Sequence, residues 1–319
     1  MPAVLSPPRL AILVPCYNEA LTIADVIRAF RTQLPEATVY VFDNNSTDRT
    51  AEIAKEAGAV VFRERRQGKG YVLRSMFQRV EADVYVMVDG DGTYPADQVR
   101  ALIQPVLDHE ADMVIGSRLK AGAGSVFKLP NLVVNWTFRW LLNAIFRVHI
   151  TDLLSGYRAM SRRVVKGLPF LSRGFESETE LTVKCLERGY RVVEIPVRLT
   201  ARPVGSHSKI HVIRDGVVIL GTLFALARDY KPLTVFGLVG LLGIAMGFIP
   251  GAIVIQEYWA TGKILRFPSA ILAAGLVISG LVCLLTGLVL HTTARRFQEL
   301  DYQMQQLLER SRGGPSEDS

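Results

Sequence analysis

Two uncharged runs near the C-terminal end limit this chain more than any other feature. Residues 233–256 (LTVFGLVGLLGIAMGFIPGAIVIQ) and 267–290 (FPSAILAAGLVISGLVCLLTGLVL) contain no charged side chain. About 20 apolar residues in a helix, rising ~1.5 Å each, cross the ~30 Å hydrocarbon core of a bilayer. Core helices of soluble domains are usually only ~11–12 residues long. The pair is therefore expected to cross a membrane twice, and Pro250 is tolerable inside such a span. The 49% share of hydrophobic residues in the 319 agrees with that expectation.

The N-terminal stretch MPAVLSPPRLAILVP has no basic region ahead of an apolar one, so no signal peptide is read. The long front part is expected to stay in the cytoplasm, and two crossings return the C-terminal end to that side. Arg228, Lys231, Arg295 and Arg296 flank the spans on the expected inside, against Lys263 and Arg266 in the outer connection. The positive-inside bias is modest. A net charge of +7 suits anionic lipid headgroups or a phosphorylated substrate. No nucleic-acid-binding module is visible. Cys16, Cys185 and Cys283 are scattered and form neither a disulfide framework nor a zinc pattern.

Ahead of the spans, short continuous apolar runs at 10–14, 38–42, 84–88 and 112–116 read as buried parallel strands. Helical patterns lie between them. Leu21, Ile23, Val26, Ile27 and Phe30 repeat along one side of the first. TDRTAEIAKEAG opens on a capping residue and ends at Gly58. A third begins with Pro95 in its first turn. Alternating strands and helices predict an α/β fold with a mostly parallel sheet, and such sheets bind ligands beyond the carboxyl ends of their strands. Pro15, Tyr17, Asn18 and Glu19 follow the first strand, Asp43 the second, and Asp89 and Asp91 the third.

Carboxylates gathered on one rim repel each other unless a cation sits among them. Hard dications such as Mg²⁺ and Mn²⁺ choose carboxylate oxygens and also neutralise phosphates. Taken alone, DGDG reads equally as a surface turn. No G-x-x-x-x-G-K-[ST] is present, and no G-x-G-x-x-G follows a strand. QGKG at 67–70 is only a weak imitation of a phosphate loop.

VPCYNEA (14–20), DNNSTDRT (43–50), VDGDG (88–92) and IGSR (115–118) occur in this order at the strand ends. The set resembles family 2 glycosyltransferases, inverting enzymes with a GT-A (Rossmann-like) nucleotide-sugar-binding domain. TDLLSGYRAMSR (151–162), the 174–197 segment and RPVGSHSK (202–209) then precede the two spans. That layout is similar to the dolichyl-phosphate mannose synthase branch, which charges polyprenyl phosphates with a sugar. The resemblance implies that Pro15, Tyr17, Glu19 and Asp43 line the base and ribose pocket. It implies Asp91 as metal ligand, with Asp89 near the ribose or the metal, and Mg²⁺ or Mn²⁺ as cofactor. Relatives often continue D-A-D-L-Q; Thr93 stands at the Gln position here. Arg118, Ser155, Arg158, Arg202 and Lys209 sit in segments the branch uses for phosphates. Arg118 and Arg202 are the strongest of these, because Arg grips phosphate with a planar fork. Arg158 and Lys209 read equally as solvated surface charges.

A phosphate acceptor is already an anion and needs positive charge rather than a general base, whereas a hydroxyl acceptor needs a base. Glu176, Glu178 and Glu180 can supply one, or can be a solvated helix start favoured by the dipole. Residues 129–148 and 209–230 are amphipathic and basic, as interfacial helices are, although core packing is open for both. The small-residue loop 120–127 reads as a lid. Phe297, Leu300, Met304, Leu307 and Leu308 recur at helical spacing, a stripe suited to a second subunit or the membrane surface. SRGGPSEDS reads as disordered. His207 and His211 lack a third metal ligand, NWTFRW lacks the Gln of Q-x-x-R-W, and Asn44 and Asn45 only match a glycosylation pattern.

The expected organisation is a catalytic domain over 1–208, an interfacial helix over 209–232, a two-helix membrane domain over 233–294 and a cytoplasmic tail over 295–319. The expected activity is transfer of one sugar from a UDP- or GDP-sugar to a polyprenyl phosphate such as undecaprenyl or dolichyl phosphate, at the cytoplasmic face of the membrane. The alternatives are transfer to a lipid or glycan hydroxyl, and a non-catalytic membrane partner with a vestigial site. A homo-oligomer is left open.

Overall fold

The computed structural model describes residues 7–118, 143, 150–172, 174, 176–200 and 212–312. Arg202, Lys209, His207, His211, the 120–127 loop, nearly all of 129–148 and the extreme C-terminal end lie outside the described residues. Two units are present, Met1–Leu223 and Phe224–Ser319.

The first unit is built on β1 (Leu10–Cys16), α1 (Ile23–Gln33), β2 (Thr38–Asp43), α2 (Thr50–Glu56), β3 (Val60–Arg63), α3 (Lys69–Arg79), β4 (Val84–Met87), α4 (Val99–Leu107) and β5 (Met113–Ser117). It continues through β6 (Arg158–Ser161), α5 (Arg162–Gly167), α6 (Ser177–Glu187) and β7 (Val192–Pro196). The seven strands form one sheet in the order β3-β2-β1-β4-β6-β5-β7. β1, β2, β3 and β4 run parallel, as do β5 and β7. β6 is antiparallel to both of its neighbours. The α/β expectation and the mostly parallel sheet are therefore found.

Ile12, Leu13 and Val14 are fully buried in β1, as a strand covered on both faces requires. Pro15 is in β1 although it cannot donate to a ladder. The β1–β4 register ends at Leu13↔Met87, so the missing donor falls beyond that pairing. Ile23, Val26, Ile27 and Phe30 of α1 are buried against the sheet. Leu21 departs from the expected stripe: it precedes the helix and is 69% exposed. The helix expected to be capped near Thr47 begins at Thr50 with Arg49 before it. The Thr47 N–H is instead donated to Asn18 Oδ1 at 2.8 Å. Pro95 precedes a 3₁₀ turn, Ala96–Gln98, that leads into α4.

The second unit is dominated by α8 (Pro232–Thr261) and α9 (Phe267–Arg312), which follow α7 (Val212–Tyr230); the boundary between the units falls within α7. The apolar windows of α8 and α9 have a mean hydropathy of 2.4, and only 17% of each is buried. A core helix would be mostly covered, so these are two helices long and apolar enough to cross a membrane. Their contact is made by small residues. A Cβ on Gly240 would lie 2.7 Å from the Gly280 carbonyl, so the backbones touch, as in closely packed membrane helices. Phe297, Leu300 and Met304 lie exposed further along α9.

Candidate active site

Four parallel strands end on one rim, and the antiparallel β6 begins there. That reversal decides the site. The chain entering β6, residues 151–157, is brought beside the ends of β4 and β5, so Asp89, Arg118, Asp152 and Gly156 meet.

The half of the rim at β1 and β2 is fixed by side chains bonded to backbone amides. Asn18 N–H donates to Ser46 Oγ, Glu19 N–H to Thr50 Oγ1 and Ala20 N–H to Asp48 Oδ2, at 2.9, 2.8 and 3.1 Å. Asn18 and Asn45 adopt the left-handed conformation, with φ of 54° and 59°, which Asn tolerates better than most residues. Asp43 is 3% exposed, and its Oδ1 accepts the Ser46 N–H at 3.3 Å. Tyr17 is 37% exposed beside it in the chain order of the rim, and Pro15 and Glu19 are half-buried. Asn44, which the sequence offered only as a glycosylation pattern, shapes the next loop. Its amide donates to the carbonyls of Glu64 and Arg66, and its Oδ1 accepts the Gly68 N–H at 2.8 Å. Gly68, with φ of 135°, makes the turn that starts α3 at Lys69.

Lys69 is the main residue that pattern reading missed. Its ammonium lies 2.7 Å from Asp89 Oδ1 and 2.6 Å from Glu178 Oε1. The Lys69 side chain is 12% exposed and that of Glu178 only 4%. Burial disfavours the ammonium, but Asp89 and Glu178 outweigh it, so its pKa is raised above the ordinary lysine value. The lysine of QGKG serves carboxylates from two other elements.

Asp91, 8% exposed, accepts both the N–H and the hydroxyl of Thr93 on Oδ1, at 3.1 and 2.6 Å. Thr93, the departure from D-A-D-L-Q, thus orients the second carboxylate. Two hard carboxylates one residue apart at the end of β4 form a donor set suited to Mg²⁺ or Mn²⁺.

Arg118 is gripped by Asp152. Its Nε and one terminal nitrogen donate to the two carboxylate oxygens, each at 2.7 Å, and its backbone N–H adds a bond at 2.9 Å. Burial opposes the Arg118 charge, while the Asp152 carboxylate favours it, and its pKa is raised. Asp152 is held in turn, because Glu194 of β7 accepts the N–H groups of Thr151 and Asp152 on Oε1, both at 2.9 Å.

Other sequence expectations are placed differently. Ser155 is fully buried, and its hydroxyl donates to the Gly116 carbonyl at 2.6 Å rather than facing a ligand. Arg158 is neither a solvated charge nor a phosphate clamp. It is 0% exposed and donates to the carbonyls of Leu153 and Ser155 and to Thr182 Oγ1. Burial lowers its pKa from the ordinary arginine value. The glutamates at the start of α6 are not a solvated helix end. Glu178 and Glu180 are each 3% exposed, with Glu178 on Lys69 and Glu180 on Lys184 at 2.6 Å. Glu180 also accepts the N–H groups of Leu171 and Ser172. Glu176 Oε1 accepts the Gly174 N–H at 2.9 Å.

Comparison with known proteins shows the family and the fold. Residues 11–168 match the model for glycosyl transferase family 2. A protein of Haloferax volcanii named "Glycosyltransferase AglJ" is 35% identical over 89% of this chain and 93% of its own length. An undecaprenyl-phosphate mannosyltransferase of Micrococcus luteus is 26% identical over 70% of this chain and 97% of its own length. Among solved structures, glucosyl-3-phosphoglycerate synthase from Mycobacterium tuberculosis, in complex with Mn²⁺, UDP-glucose and phosphoglyceric acid, matches with a TM-score of 0.56. It is 23% identical and covers 69% of this chain and 80% of its own, a likeness of fold. With the strand-end motifs, the rim they build and the extent of these matches, the chain belongs to glycosyl transferase family 2 and is a glycosyltransferase.

Proposed function

We propose that this glycosyltransferase moves one sugar, with inversion, from a UDP- or GDP-sugar to a polyprenyl phosphate, at the cytoplasmic face of a membrane that α8 and α9 cross. One observation carries the reading: a family 2 rim and two helices apolar enough to span a bilayer occur in the same chain. The name of the Micrococcus relative supports the same acceptor class.

In this reading Tyr17, Glu19 and Asp43 hold the nucleoside, and Asp91 with Asp89 would hold Mg²⁺ or Mn²⁺. The cation's contribution is to neutralise charge on the departing diphosphate. Arg118, fixed by Asp152, presents positive charge at the β5 end of the rim, with Arg202 and Lys209 as further cationic candidates on the acceptor side. An oxygen of the lipid phosphate forms the new bond to the anomeric carbon as the bond to the nucleoside diphosphate breaks on the opposite face. The acceptor carries no proton that must leave, so no base is required. Glu178 and Glu180 being committed to lysines favours this over a hydroxyl acceptor.

The test is turnover by purified protein in detergent with Mn²⁺ or Mg²⁺, a panel of UDP- and GDP-sugars, and undecaprenyl or dolichyl phosphate. Mass spectrometry should show the lipid gaining one hexose, with the product blocked by EDTA and by Asp91→Asn. Metal-dependent sugar transfer to another acceptor only would replace the lipid phosphate with a hydroxyl acceptor. Absence of both turnover and nucleotide binding would remove the catalytic reading in favour of a non-catalytic partner.

A further inference from the structure

We propose that Lys69 is the resident cation of this rim, and that a divalent cation gains Asp89 only by exchange with it. The inference rests on the reading of Asp89 and Asp91 as the metal-side carboxylates.

Three observations lead to it. Asp89 Oδ1 already carries the Lys69 ammonium at 2.7 Å, so a cation on this carboxylate would share it with another positive charge. On its other side Asp89 is backed by Gly156 so closely that even a methyl group would collide with Oδ2. A dication on Asp89 would therefore lie beside the ammonium, and the two positive charges repel. Finally, Lys69 has a second seat: Glu178, on α6, lies 2.6 Å from the same nitrogen. Stranding a buried charge is strongly unfavourable, but an ammonium that moves from two carboxylates to one keeps a partner. Lysine suits the task, being a compact charge on a flexible stem, where arginine's fork would be fixed. Glu178 is thus a positioning residue: it holds Lys69 when Asp89 is released.

The exchange predicts a pattern of cation affinities in the absence of any sugar donor. The probe is Mn²⁺ alone, bound to the purified full-length chain and followed by electron paramagnetic resonance or calorimetry. Lys69→Gln, which removes the competitor and keeps a polar side chain, should bind Mn²⁺ about tenfold or more tightly than wild type, because Asp89 no longer has to be released from an ion pair before it meets the cation. Asp89→Asn in the wild-type background should change affinity by less than about threefold, because the lost ligand is offset by the lost competition. In the double variant Lys69→Gln/Asp89→Asn the gain should vanish. A gain that persists there would be long-range charge rather than exchange and would overturn the proposal, as would unchanged or weaker binding in Lys69→Gln. If Lys69→Gln does not fold, Glu178→Gln decides: leaving the ammonium to Asp89 alone should weaken Mn²⁺ binding by about threefold or more, and unchanged or tighter binding overturns the exchange. Wild-type protein without Mn²⁺ binding that Asp91→Asn abolishes would show instead that the metal reading itself has failed, and the exchange with it.

Discussion

A methyl group on Gly156 would overlap Asp89 Oδ2 and sit 2.8 Å from its carboxyl carbon. The residue entering β6 thereby sets how far the first carboxylate of the D-x-D can turn. Gly156→Ala must displace that carboxylate or shift the strand. Turnover is expected to fall at least about tenfold, with a stability cost of roughly 1–3 kcal/mol typical of overpacking. Steady-state kinetics beside a thermal melt checks this, and full activity would show that Asp89 has room the structure denies it.

Thr93 holds Asp91 through its hydroxyl at 2.6 Å. Thr93→Val removes that bond and keeps the shape, while Thr93→Ser retains it. The valine variant should lose about 1 kcal/mol of orientation, close to a fivefold drop in kcat/KM, with serine near wild type. Equal activity in wild type and both variants would remove Thr93 from the site.

Arg158 supports the fold in this structure. Arg158→Met leaves two buried carbonyls and the Thr182 hydroxyl without their donor, at a cost on the order of 3 kcal/mol. A markedly lower melting temperature is expected, without a selective rise in donor KM. A raised KM at unchanged stability would return Arg158 to phosphate binding.

Glu180 gives stability an acid limb. Burial works to raise its pKa, but Lys184 and the Ser172 N–H outweigh burial and hold it below the ordinary glutamate value. A carboxyl depressed in the folded state contributes stability that is present above its unfolded pKa of ~4.3 and is lost as pH falls through the folded value. Melting temperatures measured from about pH 6 to pH 3 should decline below about pH 4.3, and Glu180→Gln should show a flatter decline. Identical slopes would mean that other carboxylates carry the acid limb.

By itself the sequence determined the α/β class, because β1, β2, β4 and β5 are uninterrupted apolar runs and the first-helix residues from Ile23 to Phe30 recur at helical spacing. It determined the two long apolar helices for a simpler reason: length and absence of charge are local properties. It also placed Asp43, Asp89 and Asp91 at strand ends, since the carboxyl end of a parallel strand is legible once the strand is. The tertiary structure alone decided what depends on pairing between distant segments. β6, four residues long, gave no periodic signal, yet its antiparallel insertion between β4 and β5 brings Gly156 against Asp89 and Asp152 against Arg118. Whether a charge is solvated or buried is also non-local. Arg158 and Glu178 look like surface residues along the chain, and only the packing of α6 over the sheet encloses them. Lys69 was unreadable for the same reason: its two partners are 20 residues and more than 100 residues away in sequence.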